Sequence, residues 1–324
     1  MEIRFGFVAM SVTLEKASPS KTVTLKSYKK LAEKDEEAAL HKVLRVSREN
    51  LANTLRLLKH CKFSGVKVYR FSSKLVPLAT HPLLAGWDYI GDLQKEFSEI
   101  GDYVKESQMR VSFHPDHYTL INSPREDVLD SSIKDLEHHH DMLEAMGLDS
   151  RAKLVTHVGG GYRDKEKALE RFRENWDKVP ETIRERLVLE NDDRTYTASQ
   201  VLKLCEKLNI PMVLDIHHHR CNNNGEEIEE FLAPVFATWE GTGLPPKIHI
   251  SSPKSPTDIR SHHDFVDPAD LFGILSLAVR HTDCLDVMVE AKQKDKAMFE
   301  LVKGLTDFPG VTQVTPGILE LNAD

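Results

Sequence analysis

The chain has 324 residues, 40% hydrophobic and 29% charged, with a formal net charge of -8. That is enough for one large α/β barrel or two ordinary domains, and no apolar run approaches the roughly 18 residues that cross a bilayer. The four cysteines, Cys61, Cys205, Cys221 and Cys284, are scattered and form no Cys-x-x-Cys pair, which argues against a disulfide frame or zinc knuckle and points to a reducing, cytoplasmic compartment.

Along the chain a short β-branched run, a polar loop and an amphipathic stretch recur. Strands are predicted at residues 3–8, 67–71, 110–113, 153–156, 186–189, 211–214, 247–250 and 286–289. Helices are predicted at 49–61, 90–106, 131–146, 165–177, 198–208, 226–240, 268–279 and 294–305, with apolar spacings such as Leu51, Leu55 and Leu58. The runs LVTH, LVLE and MVLD read as buried parallel strands. Eight such strands alternating with eight helices predict a single-domain (β/α)8 TIM barrel over residues 1–324. A doubly wound sheet is the alternative, but FGFVAMS lacks its Gly-rich first turn. Residues 11–47 read as an insertion after the first strand, at the face where barrel active sites lie. The tail, residues 311–324, has no assignment.

What ends each strand carries the chemistry. Strand three runs into His114, strand four into His157, strand five into Glu190 and strand six into Asp215 with His218. Strand seven carries His249, and strand eight ends at Glu290. These positions are each about one βα unit apart, so six consecutive strands deliver a metal-capable side chain to one rim. One such residue is more often structural than a ligand; six in a row are not explained that way. Mixed histidines and carboxylates suit Mn²⁺, Zn²⁺ or Fe²⁺. Glu190, between two groups of histidines, is the natural bridge for two ions about 3.5–4 Å apart acting on a phosphodiester. His262, Asp264 or both can complete a third site. Lys247 lies two residues before His249 and so projects to the same side; it is a candidate for contacting phosphate, or for modification to a metal-ligating carbamate. His138, His139 and His140 fall inside a helical pattern and are read as packing or surface residues. His41, His60, His81 and His281 lack a supporting context.

The net charge of -8 argues against a nucleic-acid partner, yet bound divalent ions would offset most of it. Lys16, Lys21, Lys26, Lys29, Lys30 and Lys34 are also concentrated in the insertion. No nucleophilic triad or phosphate loop competes.

Taken together, YRFSS with PLATHP, SFHP, LENDD, the Asp-x-His-His segment, KIHISSPKS with RSHHDFVD, and VEAKQKDK resemble the UV damage endonuclease family, a relative of endonuclease IV. The resemblance covers nearly the whole chain. It implies three divalent metal ions, usually Mn²⁺ with Zn²⁺, Mg²⁺ or Co²⁺ as alternatives, and damaged double-stranded DNA as partner. It implies a nick immediately 5′ of cyclobutane pyrimidine dimers, 6-4 photoproducts and often abasic sites, leaving 3′-hydroxyl and 5′-phosphate ends. Carried over, His114, His157 and Glu190 ligate one ion; Glu190, Asp215, His249 and Glu290 a second; His218 and His262, with Asp264, a third. Glu190 and Lys247 are then the catalytic pair. Phe7, His117 and Tyr118 are expected at the lesion, and Lys254 and Arg260 on the DNA. Here the chain departs from the family pattern: HPDHY puts His117 where a glutamine is typical, and Phe7 stands where tyrosine is frequent. The chain is expected to act as a monomer, associated with the nucleoid when on DNA. A sugar isomerase on the same barrel and an endonuclease limited to abasic sites are the rival readings.

Overall fold

A computed structural model of the chain describes residues 1–322. Seven strands come first: β1 (Glu2–Val8), β2 (Val68–Arg70), β3 (Arg110–Phe113), β4 (Lys153–His157), β5 (Leu187–Glu190), β6 (Met212–Asp215) and β7 (Lys247–Ile250). A short antiparallel pair follows, β8 (Pro253–Ser255) and β9 (Asp258–His262), and then β10 (Cys284–Val289). Strands β1 to β7 and β10 pair in parallel in sequence order, and β10 pairs back onto β1, closing an eight-stranded barrel with helices outside. The predicted (β/α)8 barrel is therefore the observed fold, and each predicted strand lies within two residues of an observed one.

Departures from the sequence reading have local causes. Residues 11–47 divide into a loop, a helix Leu25–Ala32 and the first turns of one long helix, Glu36–Phe63, N-capped by Asp35, whose side chain accepts from Ala38 N at 2.9 Å. The predicted helix at 90–106 is broken at Leu93 into Tyr89–Asp92 and Gln94–Glu106. The tail, whose last two residues lie outside the described ones, forms β11 (Val311–Thr315) and β12 (Ile318–Leu321). This antiparallel hairpin sits on the first half of β1, with Ile3 opposite Leu319. Strand β2 starts only opposite Gly6, so β12 satisfies backbone groups at Glu2 to Arg4 that would otherwise lack a neighbour.

Side-chain alternation divides the barrel interior into layers. In the middle, Val155, Val188 and Val213 pack on Trp239, each burial of this kind contributing roughly 1.5–3 kcal/mol. Gly6 belongs here: a Cβ on it would lie 2.5 Å from Val68 O. One layer toward the strand starts, Asp286 takes Arg4 at 2.6 Å and Arg110 at 2.6 Å across the barrel. One layer toward the strand ends lies the ring of histidines and carboxylates.

Candidate metal centre at the barrel rim

Glu190 closes β5 at the centre of that ring with 1% of its surface exposed. Its two oxygens are shared: Oε2 lies 2.9 Å from His114 Nε2, and Oε1 lies 2.8 Å from His249 Nδ1. His157 Nε2 stands 3.9 Å from Oε2 and His218 Nδ1 3.8 Å from Oε1. His249 Nδ1 is also 3.1 Å from Glu290. Donor atoms of His114, His157 and Glu190 lie within 4.8 Å of one another, as do those of Glu190, Asp215, His249 and Glu290.

Neighbouring backbone orients these side chains. The Nδ1 of His114 faces Pro115 O at 3.0 Å, which leaves Nε2 toward Glu190; His157 Nδ1 faces Glu190 O at 3.4 Å. A carbonyl on one ring nitrogen fixes the tautomer and frees the other nitrogen for a cation. Asp215 N-caps the short helix Ile216–Cys221 through His218 N at 2.7 Å, which is why an Asp-x-x-His spacing puts both side chains at one place. Its other oxygen, Oδ2, is buried without a partner, as is His249 Nε2. Asn191 exchanges two 2.9 Å hydrogen bonds with the Asp215 backbone and its carbonyl faces His218 Nδ1, locking β5 to β6.

The electrostatics are those of a site short of positive charge. Burial pushes the Glu190 carboxyl up, but His249, His157 and His114 together hold it well below its ordinary value. Burial opposes charge on His249 and His218 as well, yet Glu190 raises His249 to about 8, and Asp215 with Glu190 raises His218 to about 9. Three carboxylates, Glu190, Asp215 and Glu290, face one arginine, Arg70, whose Nη1 is 2.5 Å from Glu290. With a bare Asp215 oxygen and carbonyl-fixed imidazoles, this donor set fits divalent cations.

Other predicted residues fall at varied distances from this centre. His262 reaches the rim, its ring 5.3 Å from His217 and 6.4 Å from His218; Asp264 is exposed on the loop beyond, its carbonyl accepting from Gln293 N. Lys247 is buried one layer below His249, with Nζ 3.4 Å from Ser112 Oγ. Burial and then Arg110 push its ammonium well below the ordinary lysine range. His117 and Tyr118 stand on the loop after β3, rings 4.0 Å apart, and His117 lines a cavity of about 460 Å³ together with Arg70, His114, His157, Glu190, His218 and Glu290. Lys254 and Arg260, on the β8–β9 hairpin, pair with Asp258 and Asp193. Phe7 corrects the sequence reading: it is 0% exposed and packs edge-on to Tyr69 at 5.5 Å. Gly6 and Val8 flank it on the interior side, so alternation turns Phe7 outward into the helix layer, away from the rim.

The residues set aside are explained by packing. His138 bonds Tyr89 Oη at 2.8 Å, His139 packs against Phe113, and Arg186 Nε donates to His140. Sequence reasoning missed Arg70, although it ends β2 at the position where other strands end in ligands. It also missed Asp295, fully buried, which accepts from Ser11, Thr13, Val12 N and His60 and so ties the loop after β1 to the helix after β10.

The fold and site together define a TIM-barrel protein with a histidine–carboxylate rim able to hold divalent metal. The chain belongs to the UV-endonuclease UvdE family, whose model matches residues 3–322. It is 43% identical over 324 residues, all of both chains, to a UV DNA damage endonuclease of Bacillus velezensis, and 45% identical over 321 residues, 99% of both, to one of Bacillus pumilus. A crystal structure of SacUVDE superposes with a TM-score of 0.82 at 32% identity, covering 94% of this chain and 98% of that one. Endonuclease IV from Thermus thermophilus shares the fold, with a TM-score of 0.56 at 11% identity over 94% of this chain and 98% of that one.

Proposed function

We propose that this chain is a DNA-repair endonuclease that uses divalent metal ions, Mn²⁺ foremost and three in number, to hydrolyse the phosphodiester immediately 5′ of a lesion in double-stranded DNA. The substrates are cyclobutane pyrimidine dimers and 6-4 photoproducts, with abasic sites in addition, and the ends left are 3′-hydroxyl and 5′-phosphate. The observation that carries the reading is Glu190, buried and shared between His114 and His249 in a rim of three carboxylates, four histidines and a single arginine. Family membership supplies the substrate class.

Bound at this rim, divalent ions supply Lewis acidity to a phosphodiester and its attacking water. His114, His157 and Glu190 are the set for one ion; Glu190, Asp215, His249 and Glu290 for a second; His218 and His262, with Asp264, for a third. The remaining work belongs to the protein. Arg70 holds the Glu290 carboxylate at the edge of the cavity. His117 and Tyr118, both 71% exposed, offer rings that stack in the gap left by unstacked nucleotides. Lys247, buried beside Ser112 with its ammonium disfavoured by burial and by Arg110, is the amine that takes up carbon dioxide as a carbamate with loss of a proton, or the donor toward phosphate.

Supercoiled plasmid tests the reading. UV-irradiated, depurinated and undamaged plasmid are each incubated with protein and Mn²⁺, then with EDTA. Metal-dependent nicking of irradiated DNA is expected, with the depurinated plasmid cut as well. Nicking of depurinated DNA alone would restrict the enzyme to abasic sites, and no nicking at all would return the isomerase reading.

A further inference from the structure

Among the described residues, nine other than glycine have φ between 44° and 66°. Gln108 and Asn209 end helices, where a left-handed residue is ordinary. The other seven, among them Ala9, Leu78, Tyr162 and Arg163, sit on loops that leave the strands at the rim. Such backbone persists only where its surroundings hold it, and it gathers at functional sites.

Of these, Lys294, φ 50°, is a cationic residue that shares a recess with Glu290 and Arg70. It opens the helix Lys294–Leu305 four residues after Glu290. Its chain neighbours are pinned on both sides. Lys292 N and Gln293 N donate to His263 O and Asp264 O at 3.1 Å. On the other side, Asp295 is buried and anchored to the loop after β1. Between these anchors Lys294 lines a recess of about 80 Å³ with Arg70, His262, Lys292 and Glu290. Glu290 is already engaged by Arg70 and His249, and Lys294 has no ion-pair partner among the described residues.

A half-buried lysine without an ion-pair partner, held by unfavourable backbone next to the half-buried Glu290 carboxylate and an arginine, is poorly explained by stability alone. An oxyanion entering the recess would answer the Lys294 cation and share Arg70 with Glu290. Resting on the nuclease reading above, we propose that Lys294 is a phosphate-contacting residue of the cleavage reaction, meeting a non-bridging oxygen of the scissile phosphate beside Arg70. It donates a hydrogen bond and no proton leaves it; charge that accumulates on that oxygen during hydrolysis is stabilised by a fixed cation.

Asparagine is at ease in the left-handed region and carries no charge, so Lys294→Asn separates the two explanations. On UV-irradiated plasmid with Mn²⁺, Lys294→Asn should lose on the order of 10²-fold in kcat and Lys294→Arg should recover at least about tenfold of that. The melting temperature of Lys294→Asn should equal or exceed that of the parent, with Mn²⁺ content unchanged. In EDTA, its binding to irradiated duplex should show a salt slope shallower by about 0.9, the value of one phosphate contact. Parent-like nicking by Lys294→Asn overturns the assignment. So does lost activity accompanied by a lower melting temperature or lost Mn²⁺, because the residue is then structural. If the parent protein itself fails to nick, the nuclease reading falls and takes this assignment with it.

Discussion

The two ends of the barrel interior use the same device, charged side chains on inward positions, to opposite effect. At the base, Arg4 and Arg110 converge on Asp286 with distances of 2.6 Å each, and Arg110 also stacks over Trp239. At the rim, Glu190, Asp215 and Glu290 meet histidines and a single arginine, and an Asp215 oxygen and His249 Nε2 are left bare. The base is closed by the protein's own counter-charges; the rim is built to be completed by cations from outside. A polar layer that satisfies itself serves the fold, and one that does not serves the chemistry.

Substitutions at matched positions should break this symmetry in opposite ways. Glu190→Gln is expected to abolish nicking, by at least on the order of 10³-fold, while keeping affinity for damaged DNA and a parent-like melting temperature. Undiminished nicking by it would sink the bridging role. Asp286→Asn should do the reverse: leaving two guanidinium groups uncompensated costs about 3–5 kcal/mol, read by urea unfolding, while kcat per folded molecule stays within about twofold. A large kcat loss there, with little destabilisation, would move the base into the active machinery.

The two ends should also answer pH differently. Burial pushes the Asp286 carboxyl up, but Arg110 and Arg4 outweigh it and leave it below its ordinary value. Its stabilisation is thus complete above about pH 4 and is lost as pH falls through the lowered folded value. In the metal-free rim His249 and His218 are raised to about 8 and about 9. Their contribution is complete below about 6.5 and fades as pH rises through 8 to 9. A metal ion must displace those protons, so Mn²⁺ affinity measured by calorimetry should climb between pH 6.5 and 9 with proton release. A flat profile would mean that these imidazoles do not ligate. The smallest effect is expected from the surface. Replacing Lys26, Lys29 and Lys30, exposed on one helix of the insertion, by alanine should lower the salt slope of DNA binding by up to about 0.9 per lysine; an unchanged slope would leave that helix off the DNA.

Much of this was legible in the chain because buried parallel strands are short apolar runs that break off at a polar residue on the rim. The His157, Glu190 and Asp215 positions follow from where LVTH, LVLE and MVLD stop, and His114, His249 and Glu290 from the runs VSFH, KIHI and VMVE. What sequence did not disclose depends on alternation within a strand or on contacts between distant loops. Phe7 looked like a rim aromatic, but its parity relative to Gly6 sends it into the helix layer. Arg70 was readable by the same strand-end rule and was passed over because arginine is no metal ligand. Asp295 binds Ser11 and Thr13 from the far end of the sequence, and the left-handed backbone of Lys294 leaves no mark in composition or periodicity. The tail hairpin was hidden because β12 pairs with the opposite end of the chain.

The most direct measurement is metal content by mass spectrometry of elements, after dialysis against Mn²⁺, for the parent, Asp286→Asn and Glu190→Gln proteins. More than one ion per chain is expected in the parent and in Asp286→Asn, with the loss of at least one ion in Glu190→Gln. Equal content in parent and Glu190→Gln, or none in the parent, would contradict that expectation.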